Sequence, residues 1–531
     1  MGAVAGNDNK NVSDGNAAGL TRREMLALAA LGIAAGKAGS AAAAAAPAGQ
    51  LNWGIHVSLS PTWFDPAETQ GVITPFMVLY ALHDALVKPM PGKLKANSLA
   101  ESWSAAEDGL GYDFVLRKDA KFHNGEPVTA EDVKFSFERY RGASHDLLKS
   151  RVAAIETPDP QHVRFRLKAP WPDFMTFYGT ASGASWVVPK KYVEKVGDDG
   201  FKKAPIGAGP YKFVSFNPGV ELVLEAFEGY WRKTPAVKRI VMKVIPDETT
   251  RLAALKRGEI DIAYSIRGEL AEEMRRTPGL TLKPVVLQAS NWVYFPDQWN
   301  PKSPWHDLRV RQAANLALDR DGMNKALFLG YCKINNSIIP DSFDYYWQPP
   351  PAVYDPVKAQ KLLAEAGHPN GFDGGLFYCD SSYANMGEAI IDGLQQIGIR
   401  CHLQPIERAG FLASYAGKKF SHGILRGASG AFGDATTRLA AFVAKGGPYV
   451  YGSYPDIDEL FAKQAGELDP KKRTQMLVEI QKLVYDKAIY APVWLLGFLN
   501  GVGPRVGESG FGLIPGFAYT APFEDITIKG T

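Results

Sequence analysis

Two arginines, Arg426 and Arg438, bracket a glycine-rich stretch in the run Gly423-Ile-Leu-Arg-Gly-Ala-Ser-Gly-Ala-Phe-Gly-Asp-Ala-Thr-Thr-Arg-Leu439. Glycine-rich loops expose backbone N–H groups, and guanidinium forks match the oxygens of carboxylates and phosphates. Gly427, Ser429, Ala431, Phe432 and Asp434 of this run therefore form a candidate contact surface for a ligand that is neutral or anionic at that end. The alternative is a pair of solvated loop arginines. Aromatic side chains crowd Asn291-Trp-Val-Tyr-Phe-Pro-Asp-Gln-Trp299 and Phe343-Asp-Tyr-Tyr-Trp347. Such side chains either wall a cleft, stacking on sugars or apolar groups, or fill packing between lobes.

Catalytic patterns are missing. No Gly-x-x-x-x-Gly-Lys-Ser/Thr, Gly-x-Ser-x-Gly or His-Glu-x-x-His occurs, so the phosphate cradle, the nucleophile elbow and the zinc-protease pair have no carrier. The nine histidines are scattered, and Cys401-His402 with Cys379 does not follow a zinc spacing. Catalysis has no support in these residues, and no cofactor or metal site is expected.

The elements that must position these residues need a large frame. At 531 residues the chain exceeds what one core supports, so at least two lobes are expected. A 46% hydrophobic content with 22% charged residues is that of a folded globular chain, and a net charge of +3 without single-sign runs excludes a nucleic-acid or anionic-membrane partner. Three cysteines, Cys332, Cys379 and Cys401, favour free buried thiols over a disulfide framework, with a Cys379–Cys401 bridge as the alternative.

Residues 1–49 read as an export signal. Arg22-Arg23 precedes a mild apolar run, Ala27 to Gly36, that is too short to span a bilayer, and Ala41 to Ala46 then offers small-residue cleavage sites. The arginine pair is that of a twin-arginine signal, and cleavage is expected between Ala44 and Gln50. With no cysteine near that boundary, the expectation is a freely diffusing periplasmic protein without a lipid anchor.

Beyond residue 49, short strands alternate with capped helices, the pattern of an α/β fold. Thr129 with Asp132 forms a capping box, and Asp355-Pro356 with Gly367 brackets another helix. Lys243 to Ala263 reads as strand, helix and strand, with the helix starting at Asp247 and stopping before Gly258, and with the two strands parallel.

These segments resemble a known family. Leu99-Ala-Glu-Ser-Trp103 and its continuation to Arg117, followed by Lys121-Phe-His-Asn-Gly-Glu-Pro-Val-Thr-Ala-Glu-Asp-Val-Lys-Phe-Ser136, resemble the signature of the bacterial extracellular solute-binding proteins of family 5. The resemblance continues in order through Phe64-Asp-Pro66, Pro205-Ile-Gly-Ala-Gly-Pro-Tyr211, Tyr230-Trp231, Leu255 to Ile262, Asp307 to Arg320, Tyr354 to Gly367 and Leu394 to Ile399.

The resemblance implies an α/β, type II-like clamshell of two lobes with an extra subdomain on the first. Lobe one is expected over 50–75, 205–288 and 490–531, the subdomain over 76–204 and lobe two over 289–489, with hinges near Ser290 and Pro492. It also implies a monomer that hands a peptide or small-molecule ligand to an ABC permease and its ATPase. Opine, oligosaccharide or chelated-metal ligands, and a chaperone-like or sensory role, are the alternatives. In peptide-binding relatives the loop after the Asp-Pro motif touches ligand, which places Gln70, Gly71 and Val72 at the site. Trp292 and Tyr294, beside the inferred hinge, are expected to face the cleft. Those relatives carry Gly-Trp-x-x-Asp where this chain has Gly427, Ala428 and Ala431, so the aspartate that takes a free amine is absent unless Asp434 replaces it.

Overall fold

A computed structural model describes residues 46–69, 74–142 and 144–530. Its frame is an eleven-stranded mixed sheet whose two halves are joined by the long strands Thr281–Tyr294 and Tyr490–Val502. In the first half, strand Ala48–Ile55 lies between two parallel neighbours, Val237–Val244 and Ile262–Ala263, and an antiparallel pair extends that edge. In the second, strand Phe372–Asp380 lies parallel to both Ile399–Ile406 and Gly423–Ser429. The halves are called the first and second lobes below; together they make a two-lobe clamshell.

The local sequence explains these elements. Asp247 accepts from the Thr250 amide at 2.7 Å to start helix Glu248–Lys256, and Gly258 ends it with a φ of 71° that only glycine adopts freely. The flanking strands are parallel as the pattern predicts, with Ala48–Ile55 between them. Asp132 accepts from the Thr129 amide at 2.9 Å, completing the capping box, and Asp355 caps helix Pro356–Glu365 through the Lys358 amide at 2.8 Å. Asp307 caps Leu308–Leu316 through the Arg309 amide at 2.8 Å. The buried Asp65 carboxylate accepts from both Nη atoms of Arg139 at 2.7 Å.

Gly207 and Gly209 allow a close approach of two backbone segments. A Cβ there would lie 2.0 Å from the Leu82 carbonyl oxygen and 2.5 Å from that of Ala81. All three cysteines are free and buried.

The extra subdomain has its own four-stranded antiparallel sheet, from Ala100–Ala105 to His162–Leu167, and its own core around Phe114, Phe137, Phe165, Phe174 and Tyr178. Each buried ring of this kind stabilises by about 2 to 3 kcal/mol. The two long strands pair antiparallel from Thr281 opposite Val502 to Tyr294 opposite Tyr490, but the register breaks between Val286 and Ser290 and again between Asn291 and Trp292. Breaks of this kind weaken the ladder locally and bend the strands. They lie where the sheet passes from one lobe to the other.

Candidate functional site

In open α/β sheets, ligands collect outside the carboxyl ends of parallel strands. Both lobes turn such ends toward a common seam. In the first lobe, His56 follows the strand ending at Ile55, and Arg267 follows the one ending at Ala263. In the second, Asp380 to Tyr383 follow strand Phe372–Asp380, and Arg408 follows Ile399–Ile406.

These residues meet across the seam. Arg267 Nη1 donates to the Ser382 carbonyl at 3.0 Å, and its guanidinium lies 5.8 Å from the Tyr383 ring. The Arg426 guanidinium lies on that ring at 3.9 Å. Arg408 Nη1 reaches Asp380 Oδ2 at 3.4 Å while its side chain stays 56% exposed. His56 sits in a cage of Tyr264, Phe498 and Tyr519 with ring centroids 5.7–6.4 Å away. Burial, helped by Arg251, Arg408 and Arg267, lowers the His56 pKa to about 3, so its imidazole is neutral. Its Nδ1 is buried and has no hydrogen-bond partner among the described residues.

A second set joins the subdomain to the second lobe. Thr176 Oγ1 donates to Asp434 Oδ2 at 3.0 Å, Thr436 Oγ1 to Asp173 Oδ1 at 3.1 Å, and Arg473 pairs with Asp173 while donating to the Tyr345 hydroxyl at 2.8 Å. Burial and the facing Asp434 push the Asp173 carboxyl up to about 6. Phe432 stacks on Phe517 of the first lobe at 5.9 Å.

Several expected contact residues serve the scaffold instead. Trp292 and Tyr294 do not face the cleft. Trp292 is fully buried against Phe442 and Tyr490, and Tyr294 stacks on Tyr490 at 5.0 Å, inside the aromatic core of the second lobe. Gly427 lies in strand Gly423–Ser429 opposite Trp292, and a Cβ there would fall 2.1 Å from the indole Nε1.

Arg438 presents no guanidinium to a ligand. Buried, it donates from Nη2 to the carbonyls of Gln288, Ser429 and Ala431 at 2.8–3.1 Å, and desolvation lowers its pKa to about 9. The run after Arg426 is thus held by its carbonyls rather than left open as an amide cradle. Arg426 is also buried, bonded to Asn291 and to Met386 Sδ at 3.2 Å. Ser429 and Ala431 are half-buried, whereas Asp434 is buried and caps helix Ala435–Phe442 through the Thr437 amide at 3.3 Å. Gln70, Gly71 and Val72 lie outside the described residues.

His56, Arg267, Tyr383 and Arg408 were not singled out by the sequence. The available signal was their position just past parallel strands, which requires knowing which strands are parallel neighbours.

Comparison with known proteins bears on this geometry. The sequence profile of the bacterial extracellular solute-binding proteins, family 5 middle region, matches residues 96–449. The chain belongs to family 5 of the bacterial extracellular solute-binding proteins. Among its relatives, the glutathione-binding protein GsiB of Salmonella choleraesuis strain SC-B67 is 28% identical over 453 residues, covering 82% of this chain and 86% of the relative. The solved structure of AgaA from A. tumefaciens R10 in complex with agropinic acid is 26% identical, with a TM-score of 0.74, and covers 91% of this chain and 99% of that one. The periplasmic binding protein DppA of Helicobacter pylori, in complex with the peptide STSA, has the same fold at 23% identity, with a TM-score of 0.75 and coverage of 90% and 98%. Family 5 members are the substrate-binding components of ABC importers, and this chain has that role.

Proposed function

We propose that the chain is a non-enzymatic periplasmic carrier that captures a peptide-sized solute between its lobes, at the seam of His56, Arg267, Tyr383, Arg408 and Tyr519, and presents the closed form to an ABC permease with its ATPase. The observation that carries this reading is the convergence of strand ends from both lobes on one seam. A solute held there touches both lobes only when they close, so it favours the closed form by the contacts it adds.

The lobe limits are those given by family resemblance: 50–75, 205–288 and 490–531 for the first lobe, 76–204 for the subdomain and 289–489 for the second. Export through the twin-arginine route accounts for Arg22-Arg23, which lies outside the described residues. The first strand begins at Ala48, two residues inside the expected 1–49 signal, which favours cleavage ahead of Ala48 within the expected Ala44 to Gln50 window. Among the described residues no helix is long and apolar enough to cross a membrane. The mature protein acts as a monomer.

Two ligand classes have support from relatives. GsiB is named for glutathione and AgaA holds agropinic acid. Titration calorimetry of the emptied protein with reduced glutathione, di- to pentapeptides and opines tests the reading. Saturable binding to one of these is expected, and failure of all of them, together with failure to recover any solute from protein purified from its own cells, would refute capture.

A further inference from the structure

We propose that the captured solute is an acid whose carboxylate docks between Arg267 of the first lobe and Arg408 of the second, with His56 as a further polar contact. The proposal rests on the solute-capture reading and deepens it by naming the chemistry recognised.

Donor capacity comes first. Arg408 makes a long 3.4 Å contact to Asp380 and a hydrogen bond to the Tyr383 side chain, yet more than half of its own side chain stays exposed at the seam, which leaves donor capacity on its guanidinium. Arg267 spends Nη1 on the Ser382 carbonyl, but its Nε is buried without an acceptor, and the Glu248 carboxylate is 3.7 Å away, beyond hydrogen-bond range. A buried unsatisfied guanidinium N–H is costly, and a carboxylate satisfies a planar fork with two parallel bonds.

Charge comes second. Arg267, Arg408, Arg426 and the deeper Arg251 gather around the seam. Glu248 and Asp380 are the carboxylates closest in role, each already facing an arginine. Arg251 is saturated by the carbonyls of Tyr264, Ile245, Pro246 and Ser265 at 2.5–3.0 Å, so its charge acts without occupying the site. An ammonium placed here would meet net positive charge, and His56 adds none because it stays neutral. Its unpartnered Nδ1 accepts from or donates to the solute according to tautomer.

Placement comes third. The two arginines belong to opposite lobes, and Arg408 acts electrostatically on His56 and Tyr519 across the seam. A carboxylate bridging them binds the closed form alone, which turns recognition of the acid into closure.

The test uses protein stripped of solute, the solute recovered from unstripped protein, and four probes: Ala-Ala, its N-acetyl derivative, its amide, and the N-acetyl amide. The recovered solute is expected to carry an acid group. Binding of that solute, and of the acid-bearing probes wherever a probe binds, is expected to weaken about tenfold or more in Arg408→Met and in Arg267→Met, a loss matching one charged hydrogen-bonding partner. Arg408→Lys should fall between, keeping charge but losing the fork. The melting temperature of solute-free Arg408→Met should match wild type, which separates lost binding from lost folding. A recovered solute without an acid group, amides that bind as well as acids, or unchanged affinity in both methionine variants would overturn the proposal while leaving solute capture standing. Absence of any recovered solute and of any probe binding would overturn capture itself.

Discussion

At position 427 a methyl group has no room, because the Trp292 indole occupies the space across the strand pair at 2.1 Å from where the Cβ would sit. Gly427→Ala is therefore expected to cost about 1 to 3 kcal/mol of stability by overpacking, read by urea denaturation. Trp292→Leu should cost about 3 kcal/mol through the cavity it leaves among Phe442 and Tyr490, while changing solute affinity by no more than about twofold. A large affinity loss in that variant with unchanged stability would return Trp292 to the cleft wall. The sequence shows that aromatics cluster near 291–299, but a wall and a core have the same composition. Burial decides between them, and burial depends on the neighbours Phe442 and Tyr490, some 150 to 200 residues away. The same limit applies to Arg438, whose carbonyl acceptors become visible only once the chain has folded around it.

At the scale of elements, the caps at Asp247, Thr129 and Asp355 were legible because each is a local exchange between a side chain and the next turn. The α/β alternation and the parallel strands around helix Glu248–Lys256 were legible for the same reason. The seam was not, since Arg267 and Arg408 share no local pattern and meet only after the long strands Thr281–Tyr294 and Tyr490–Val502 bring the lobes together.

The contact between subdomain and second lobe makes a prediction at this scale. In the structure Asp173 is buried beside Asp434 and paired with Arg473, and burial with the Asp434 charge raises its pKa above the usual 3.8 to about 6. If opening returns Asp173 to solvent and to its ordinary pKa, the closed form binds more protons than the open form between those values. The resulting penalty on closure is fully present above pH 6 and fades as pH falls toward 4. Solute affinity should accordingly rise as pH drops from 7 to 5, and Asp173→Asn should flatten that slope. Calorimetry at pH 7, 6 and 5 measures both, and an equal slope in the variant would assign the dependence to the solute or to another group.

For the whole molecule, the family resemblance carried the architecture from sequence, because its motifs run in order through most of the chain and family membership spans residues 96–449. The structure adds how the lobes are coupled: two strands with broken register between them, an arginine-lined seam on the strand ends, and a carboxylate and threonine contact from the subdomain. Hinge bending about a few residues is the motion this arrangement supports. The central claim, that a solute closes the lobes on each other, is tested most directly by small-angle X-ray scattering of the emptied protein before and after adding back the solute recovered from it. The account predicts a smaller radius of gyration on addition, and no decrease when the same solute is added to Arg408→Met at a concentration that saturates wild type. An unchanged radius in the wild-type protein at saturating solute would contradict it.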